Sequence, residues 1–494
     1  MNTAVPAPAA TFLGHPRGLY LLFATEMWER FSYYGMRALL VLYAVAATTA
    51  DNPGLGWGKG QALTVYAWYT GFVYFTPVIG GWLADNYLGQ RRSVIIGGVL
   101  MALGQWALAA PPALLGAAPP LTISAMGVAF PASPWSFYLG LGLLIAGNGF
   151  FKANIATMVG ALYRAGDARR DGAFTIFYMG VNLGAFIAPL VCSTLGEDPA
   201  HGWRVGFFAG GCGMVLSVII QLLFAQRFLG DVGRVPSADA ALARSGRPKQ
   251  PLTREELDRI KVIFVVFVFV MMFWAAFEQA GGLMNLFAAD HTQRHVGTFT
   301  VPTGWFQSLN PLFIVTLAPL MSMLWSRLGE RGANPATPVK MYVGLMLVAV
   351  GFGLLVVAVF QMQSTPDARA SMHWLVLAYL FHTLGELCIS PVGLSMVTKL
   401  APLRLASMLM GVWFLINFCA NTIAGYVGAF SEHLGDYAWM RSLAFAAGIH
   451  AQNAGLFGIF GGIAVVLLTF ALLLWLVSGR IVYWMHGAER VTAP

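Results

Sequence analysis

Charge is scarce in this sequence. Of 494 residues only 10% are Asp, Glu, Lys or Arg, while 58% are hydrophobic. That excludes an ordinary soluble domain, in which about a quarter of residues are charged. Cysteine is scarcer: Cys192, Cys212, Cys388 and Cys419 lie in or beside apolar runs. Their spacing matches no zinc or redox motif, so they read as inert buried thiols. No G-x-S-x-G elbow, H-E-x-x-H pair or complete P-loop is present, which removes the common hydrolase, metalloprotease and nucleotide-driven classes. The glycines from Gly54 to Gly60 have the wrong spacing for a phosphate loop. His291 and His295 share an i, i+4 spacing but lack a third ligand, so no metal site is expected. No basic segment followed by a short apolar core opens the chain, so no cleaved signal peptide is expected and the first long apolar run directs insertion.

What the chain has is hydrophobic length. A membrane-spanning helix needs about 20 mostly apolar residues. Twelve runs qualify, at 18–47, 61–83, 92–110, 136–160, 172–193, 204–226, 260–289, 306–326, 340–361, 371–399, 405–430 and 454–479. One long polar segment, 230–259, divides them six and six. The expectation is an all-α polytopic membrane protein with an N-terminal six-helix bundle (1–229), a cytoplasmic linker (230–259) and a C-terminal six-helix bundle (260–494). The linker ends in L-T-R-E-E-L, where Thr253 with Glu256 three residues on reads as a capped helix start. With the N-terminus inside, 21 of the 29 Lys and Arg fall in inner segments and five in outer loops. That asymmetry predicts both termini cytoplasmic. It also explains the net charge of +8, which is therefore no sign of nucleic-acid binding; no basic-aromatic module is present.

The few charges that lie well inside the spans carry the functional signal. They number seven: Glu26, Glu29, Arg30 and Arg37 in helix one, Lys152 in four, Glu278 in seven and Glu386 in ten. A charge at the bilayer centre costs about 2.5–3.5 kcal/mol on insertion scales and faces protein or a water-filled cavity. Glu26, Arg30, Tyr33 and Arg37 follow helical spacing and share one face. Helices one, four, seven and ten each open a group of three, and carriers built from three-helix repeats place their sites between repeats near the midplane. At a rise of 1.5 Å per residue, Arg37 and Glu278 reach matching depths. The expectation is a central polar cavity lined by both halves, serving a small zwitterionic solute, with Arg37–Glu278 and Lys152–Glu386 as candidate gating pairs.

Other motifs suggest supporting roles. In G-G-W-L-A-D-N-Y-L-G-Q-R-R, Gly80 to Arg92, Asp85 ends one helix, and Arg91 with Arg92 starts the next. A carboxylate and two guanidiniums there can latch and release inner helix ends. Asn182 sits in helix five between Gly180 and Gly184, which permit close backbone approach. Asn182 and Asn310 each suit substrate contact or helix packing. Trp413 and Asn417 lie one turn apart on helix eleven, and Tyr33, Tyr34 and Tyr74 can offer hydroxyls to a cavity. His382 is one turn from Glu386 and able to modulate it.

At these motifs the sequence resembles the proton-coupled oligopeptide transporter family of the major facilitator superfamily. Glu26-x-x-Glu29-Arg30-Phe31 matches that family's helix-one signature in full. Gly80 to Arg92, Phe174 to Ala185, and the segments around Lys152, Glu278 and Glu386 are similar to its other motifs. The resemblance implies proton-driven import of di- and tripeptides across a bacterial-type inner membrane by a single chain, with no cofactor beyond the proton gradient. By this resemblance Arg37 and Lys152 meet the peptide carboxylate and Glu386 its amine. Tyr33, Tyr34, Tyr74, Asn182, Asn310 and Trp413 line the pocket. Glu26, Glu29, Arg30 and Glu278 are the proton-linked positions. Two departures stand out: the linker has no apolar run for the two extra helices of many bacterial members, and helix two lacks the histidine of animal members. The alternative within transport is a carrier of nitrate, another small anion or an amino-acid-like solute, against which the acidic Glu386 argues.

Overall fold

The structure is a computed structural model that describes residues 11–110, 122–125, 128–131, 135–164, 167, 169–236, 252–401 and 406–487. Most of the linker (237–251), the residues before Thr11 and the basic residues Arg404 and Arg490 lie outside the described residues. Twelve long helices run Arg17–Val45, Lys59–Leu83, Gln90–Ala109, Trp135–Ala161, Arg169–Glu197, Trp203–Leu229, Arg254–Phe277, Leu309–Glu330, Thr337–Met362, Met372–Leu400, Ala406–Leu434 and Ala454–Trp484. They are numbered one to twelve below. Nine of the segments among the described residues are long and apolar enough to cross a membrane. Helices one, two and eleven complete the set, and helix one carries the four charges already noted. The short strands lie in connections; the longest pair sets Thr122–Ala125 antiparallel to Val128–Pro131.

Helix seven departs from the expected unbroken span of 260–289. It starts earlier, at the capping box in which Thr253 and Glu256 bond each other's backbone amides. It then breaks after Phe277 into a 3-10 turn, Glu278–Gly281, and resumes as Leu283–His291. Gly281 and Gly282 permit the break: glycine destabilises a helix interior and leaves room for a neighbour. A Cβ on Gly281 would collide with the Tyr66 hydroxyl of helix two and lie 2.6 Å from Arg37 Nε.

Two compact units organise the chain. One comprises Met1–Met36 and Phe75–Pro248, the other Arg37–Tyr74 and Lys249–Pro494. In the first, helices three and four cross at glycines: a Cβ on Gly97 would stand 2.5 Å from Gly147 O, and one on Gly104 2.9 Å from Gly140 O. Helix five uses Gly180 and Gly184 to lie against Phe23 and Met27 of helix one, the close approach their spacing suggests. Gly35 faces Cys192 across the same contact. The second unit repeats the device at helices nine and ten, where Gly344 and Gly385 face each other's carbonyls. Small residues let backbones approach where lipid offers no hydrophobic drive. The apolar core of this unit joins helices seven, nine, ten and twelve through Phe273, Phe352, Tyr379 and Phe460. Residues 37–74 belong here because Gly425 of helix eleven receives Ala67 and because Asn285 Nδ2 donates to Ala38 O at 2.9 Å. All four cysteines are free thiols, Cys192 and Cys388 buried.

Candidate functional site

In the first unit, helix one buries Glu26, Glu29 and Arg30 at 5%, 0% and 5% exposure. Arg30 grips Glu29 with two bonds, Nε to Oε2 at 2.5 Å and Nη2 to Oε1 at 2.7 Å, and Glu26 Oε1 stands 3.3 Å from Nε. The guanidinium is roofed by the rings of Tyr33 and Tyr34, at 5.0 and 6.0 Å from their centroids. Both tyrosines therefore make cation–π contacts with Arg30, contacts that strengthen as water is excluded. Helix four supplies Asn148, whose Nδ2 reaches Glu29 Oε1 at 3.4 Å. One turn on, Lys152 is half-buried. Among the described residues Glu26 Oε2 has no hydrogen-bond partner, while both oxygens of Glu29 are engaged. An unpaired buried carboxylate oxygen is costly when ionised.

The second unit holds the pair that matching depth anticipates. Arg37 Nη2 donates to Glu278 Oε2 at 2.6 Å, with both side chains under 10% exposed. Arg37 Nε donates to the Tyr66 hydroxyl at 2.7 Å. The helix-seven break presents Glu278 at its first residue, and Tyr379 of helix ten donates to Ala280 O at 3.4 Å. Glu386 is fixed by Asn310, whose Nδ2 donates to Glu386 Oε2 at 2.8 Å and to Thr383 Oγ1 at 3.1 Å. Asn310 therefore orients an acid, which its sequence setting did not reveal. Lys152 and Glu386 belong to different units.

The remaining candidates have local partners. Asn182 Nδ2 bonds Tyr178 O of its own helix at 2.9 Å, and Asn417 Nδ2 bonds Trp413 O at 3.0 Å. Trp413 packs edge-on to Phe267 of helix seven at 5.7 Å. Tyr74 is half-buried on helix two. The His382 ring is turned toward helix nine, 4.7 Å from Phe352 and against Gly351. In the Gly80–Arg92 motif, Asp85 lies in a π-helical turn, Ala84–Leu88. Arg91 Nη1 reaches Gln226 Oε1 and Gly230 O, each at 3.1 Å. Among the described residues no ion pair joins Asp85 to Arg91 or Arg92; Arg91 is held by the end of helix six, and Arg92 is exposed. Sequence reading missed Asn148, Tyr66 and Gly281. Asn148 was within reach, one turn from Lys152; Tyr66 and Gly281 become meaningful only once helix seven is seen to break.

The model of the POT family, PTR2, matches residues 91–245 and 239–440. The peptide transporter YePEPT of Yersinia enterocolitica is 37% identical over 484 residues, 87% of this chain and 90% of the relative. A di-/tripeptide transporter of Lactococcus lactis subsp. cremoris is 35% identical over 468 residues, 84% and 89% of the two chains. Among solved structures, a mutant of the peptide transporter POT in complex with alafosfalin superimposes with a TM-score of 0.81 at 33% identity, covering 97% of this chain and 98% of that one. The architecture is accordingly the major facilitator fold of two six-helix bundles. From the helix-one charge cluster, the twelve helices and these matches, the chain belongs to the POT family of transporters.

Proposed function

We propose that this protein is a proton-coupled symporter that imports di- and tripeptides by alternating access, acting as a single chain in the cytoplasmic membrane with both termini inside. The bundles span 1–229 and 260–494, joined by the linker 230–259. No nucleotide or metal is needed; the proton gradient drives uptake. The observation that carries the reading is the buried Arg37–Glu278 pair at the break in helix seven. An ion pair sealed from water gains little net stability, because desolvation offsets its attraction. Its value lies in switching: a proton on Glu278 cancels the attraction and lets the outer ends of helices one and seven part.

In this scheme Glu386, held by Asn310, receives the peptide amine, while Arg37 and Lys152 receive its carboxylate. Tyr33, Tyr34, Tyr74, Asn182 and Trp413 shape the pocket. Glu26, with its unpartnered oxygen, is the second proton position beside Glu29 and Arg30. Lys152 and Glu386 form the second gating pair, and Asp85, Arg91 and Arg92 the inner latch. The peptide-transporter names of the relatives support the substrate class. The test is Glu278→Gln in reconstituted vesicles. It should abolish proton-driven dialanine accumulation and spare dialanine counterflow, which moves no net protons. Accumulation equal to that of the unmodified protein would place the proton switch elsewhere.

A further inference from the structure

The connection between helices eleven and twelve contains a helix of nine residues, Ala438–Ala446. At 1.5 Å per residue it is about 13 Å long, far too short to cross a bilayer. Its inner face is two residues: Met440 and Ala444 are buried at 1% and 0% exposure, and Met440 fills the space left by Gly458 of helix twelve. A glycine stop ends it. Gly448 takes a φ of 77°, and Ile449 N bonds Ala444 O at 2.8 Å, a Schellman closure with buried Ile449 as its apolar contact.

The rest of its surface is unusual for a polar connection. Trp439 is 59% exposed, Leu443 53% and Phe445 83%, and Tyr437 just before the helix is also exposed. Trp439 and Leu443 lie one turn apart and share a side. Tyr437 stands 6.1 Å from the exposed Phe430 of helix eleven. No acidic residue lies in the helix; its one charge is Arg441, tied to Gly435 O at 3.0 Å and Asp436 O at 2.6 Å. Beside it opens a cavity of about 640 Å³ lined by Arg441, Ser442, Phe445 and His450. His450 is fixed there by its amide, which donates to Gln363 Oε1 at 2.5 Å.

We propose that this element is a phospholipid-binding anchor at the membrane interface. Trp439, Leu443 and Phe445 enter the acyl boundary of one leaflet, and Arg441 with His450 receives the headgroup phosphate in the adjoining cavity. Three arguments select lipid over another protein. Both ends of the connection are fixed at span termini, so the helix is held at interfacial level. Its apolar face meets an exposed apolar side chain of helix eleven, where Tyr437 stands 6.1 Å from Phe430. Its composition, aromatic and aliphatic side chains around a single cation, suits the boundary between headgroups and acyl chains. Arg441 supplies the complementary charge for a phosphodiester.

The test uses the full chain in phosphatidylcholine vesicles with brominated acyl chains. The Trp439 signal is taken as the difference between the unmodified protein and Trp439→Phe. Bromines near the glycerol end should quench it severalfold more than bromines near the chain terminus, and aqueous iodide should have little effect. Strong iodide quenching would overturn the anchor. Protection from iodide that appears only as protein density in the membrane rises would assign the face to a second copy and overturn it equally. The headgroup claim is read by native mass spectrometry against phosphatidylglycerol. Arg441→Gln should lose about tenfold in retained lipid, and Arg441→Lys should keep most of it. Retention by Arg441→Gln equal to that of the unmodified protein would remove Arg441 from the phosphate role.

Discussion

Arg37 illustrates how far single residues could be read. Its helical face and depth pointed to Glu278, and the two meet at 2.6 Å. Nothing in the sequence pointed to Tyr66, because a tyrosine in an apolar helix is as often packing as partner. Yet its hydroxyl takes the Arg37 Nε–H at 2.7 Å. A hydrogen bond to a charged group contributes about 1.5–3 kcal/mol. Tyr66→Phe should therefore weaken the closed pair and lower proton-driven dialanine accumulation severalfold, with counterflow retained; unchanged accumulation would make Tyr66 mere packing. Asn310 is the second residue whose role the structure alone reveals. Asn310→Ala should raise the KM for dialanine by about tenfold through loss of an oriented Glu386. Glu386→Ala should raise it further, and both should affect N-acetylated dialanine less. Equal effects on the two ligands would sever Glu386 from the amine. Asp167, in the connection after helix four, is no proton sensor. Hydrogen bonds from the Arg169 side chain and amide hold its carboxyl at about 2, so its contribution is present above the usual carboxylate range and lost only as pH falls through that low value.

At the scale of elements, hydrophobic length made the spans legible. Helix four was expected at 136–160 and runs Trp135–Ala161; helix nine was expected at 340–361 and runs Thr337–Met362. Length could not reveal the break in helix seven, since the long apolar run resumes with Leu283 and Met284 directly after Gly281 and Gly282. Nor could it reveal which glycines touch. Gly97 and Gly344 each lie in a span's interior, and only packing shows that both face a neighbour's carbonyl. Gly97→Val and Gly344→Val should each lower the melting temperature by several degrees, since overpacking costs about 1–3 kcal/mol. Gly353→Val, where a Cβ meets nothing within 4 Å, should leave it nearly unchanged. Equal melting temperatures in all three would contradict the close crossings.

For the whole molecule, scarcity of charge made function legible: seven charges inside the spans fall on four helices that open the four groups of three. The compact units were not legible. They divide within the linker, after Pro248, and also within helices one and two, after Met36 and Tyr74, because Arg37, Tyr66 and Ala67 find their partners on helices seven and eleven. In the scheme proposed above, those partners tie the gate to the energy source. An inside-negative potential contributes about 2.3 kcal/mol per charge moved per 100 mV. The most direct measurement is dialanine accumulation in vesicles under an imposed inward proton gradient, followed before and after a protonophore. Accumulation above the outside concentration should appear with the gradient and collapse once the protonophore is added. Accumulation that persists with both the pH difference and the potential abolished would contradict proton-driven peptide import.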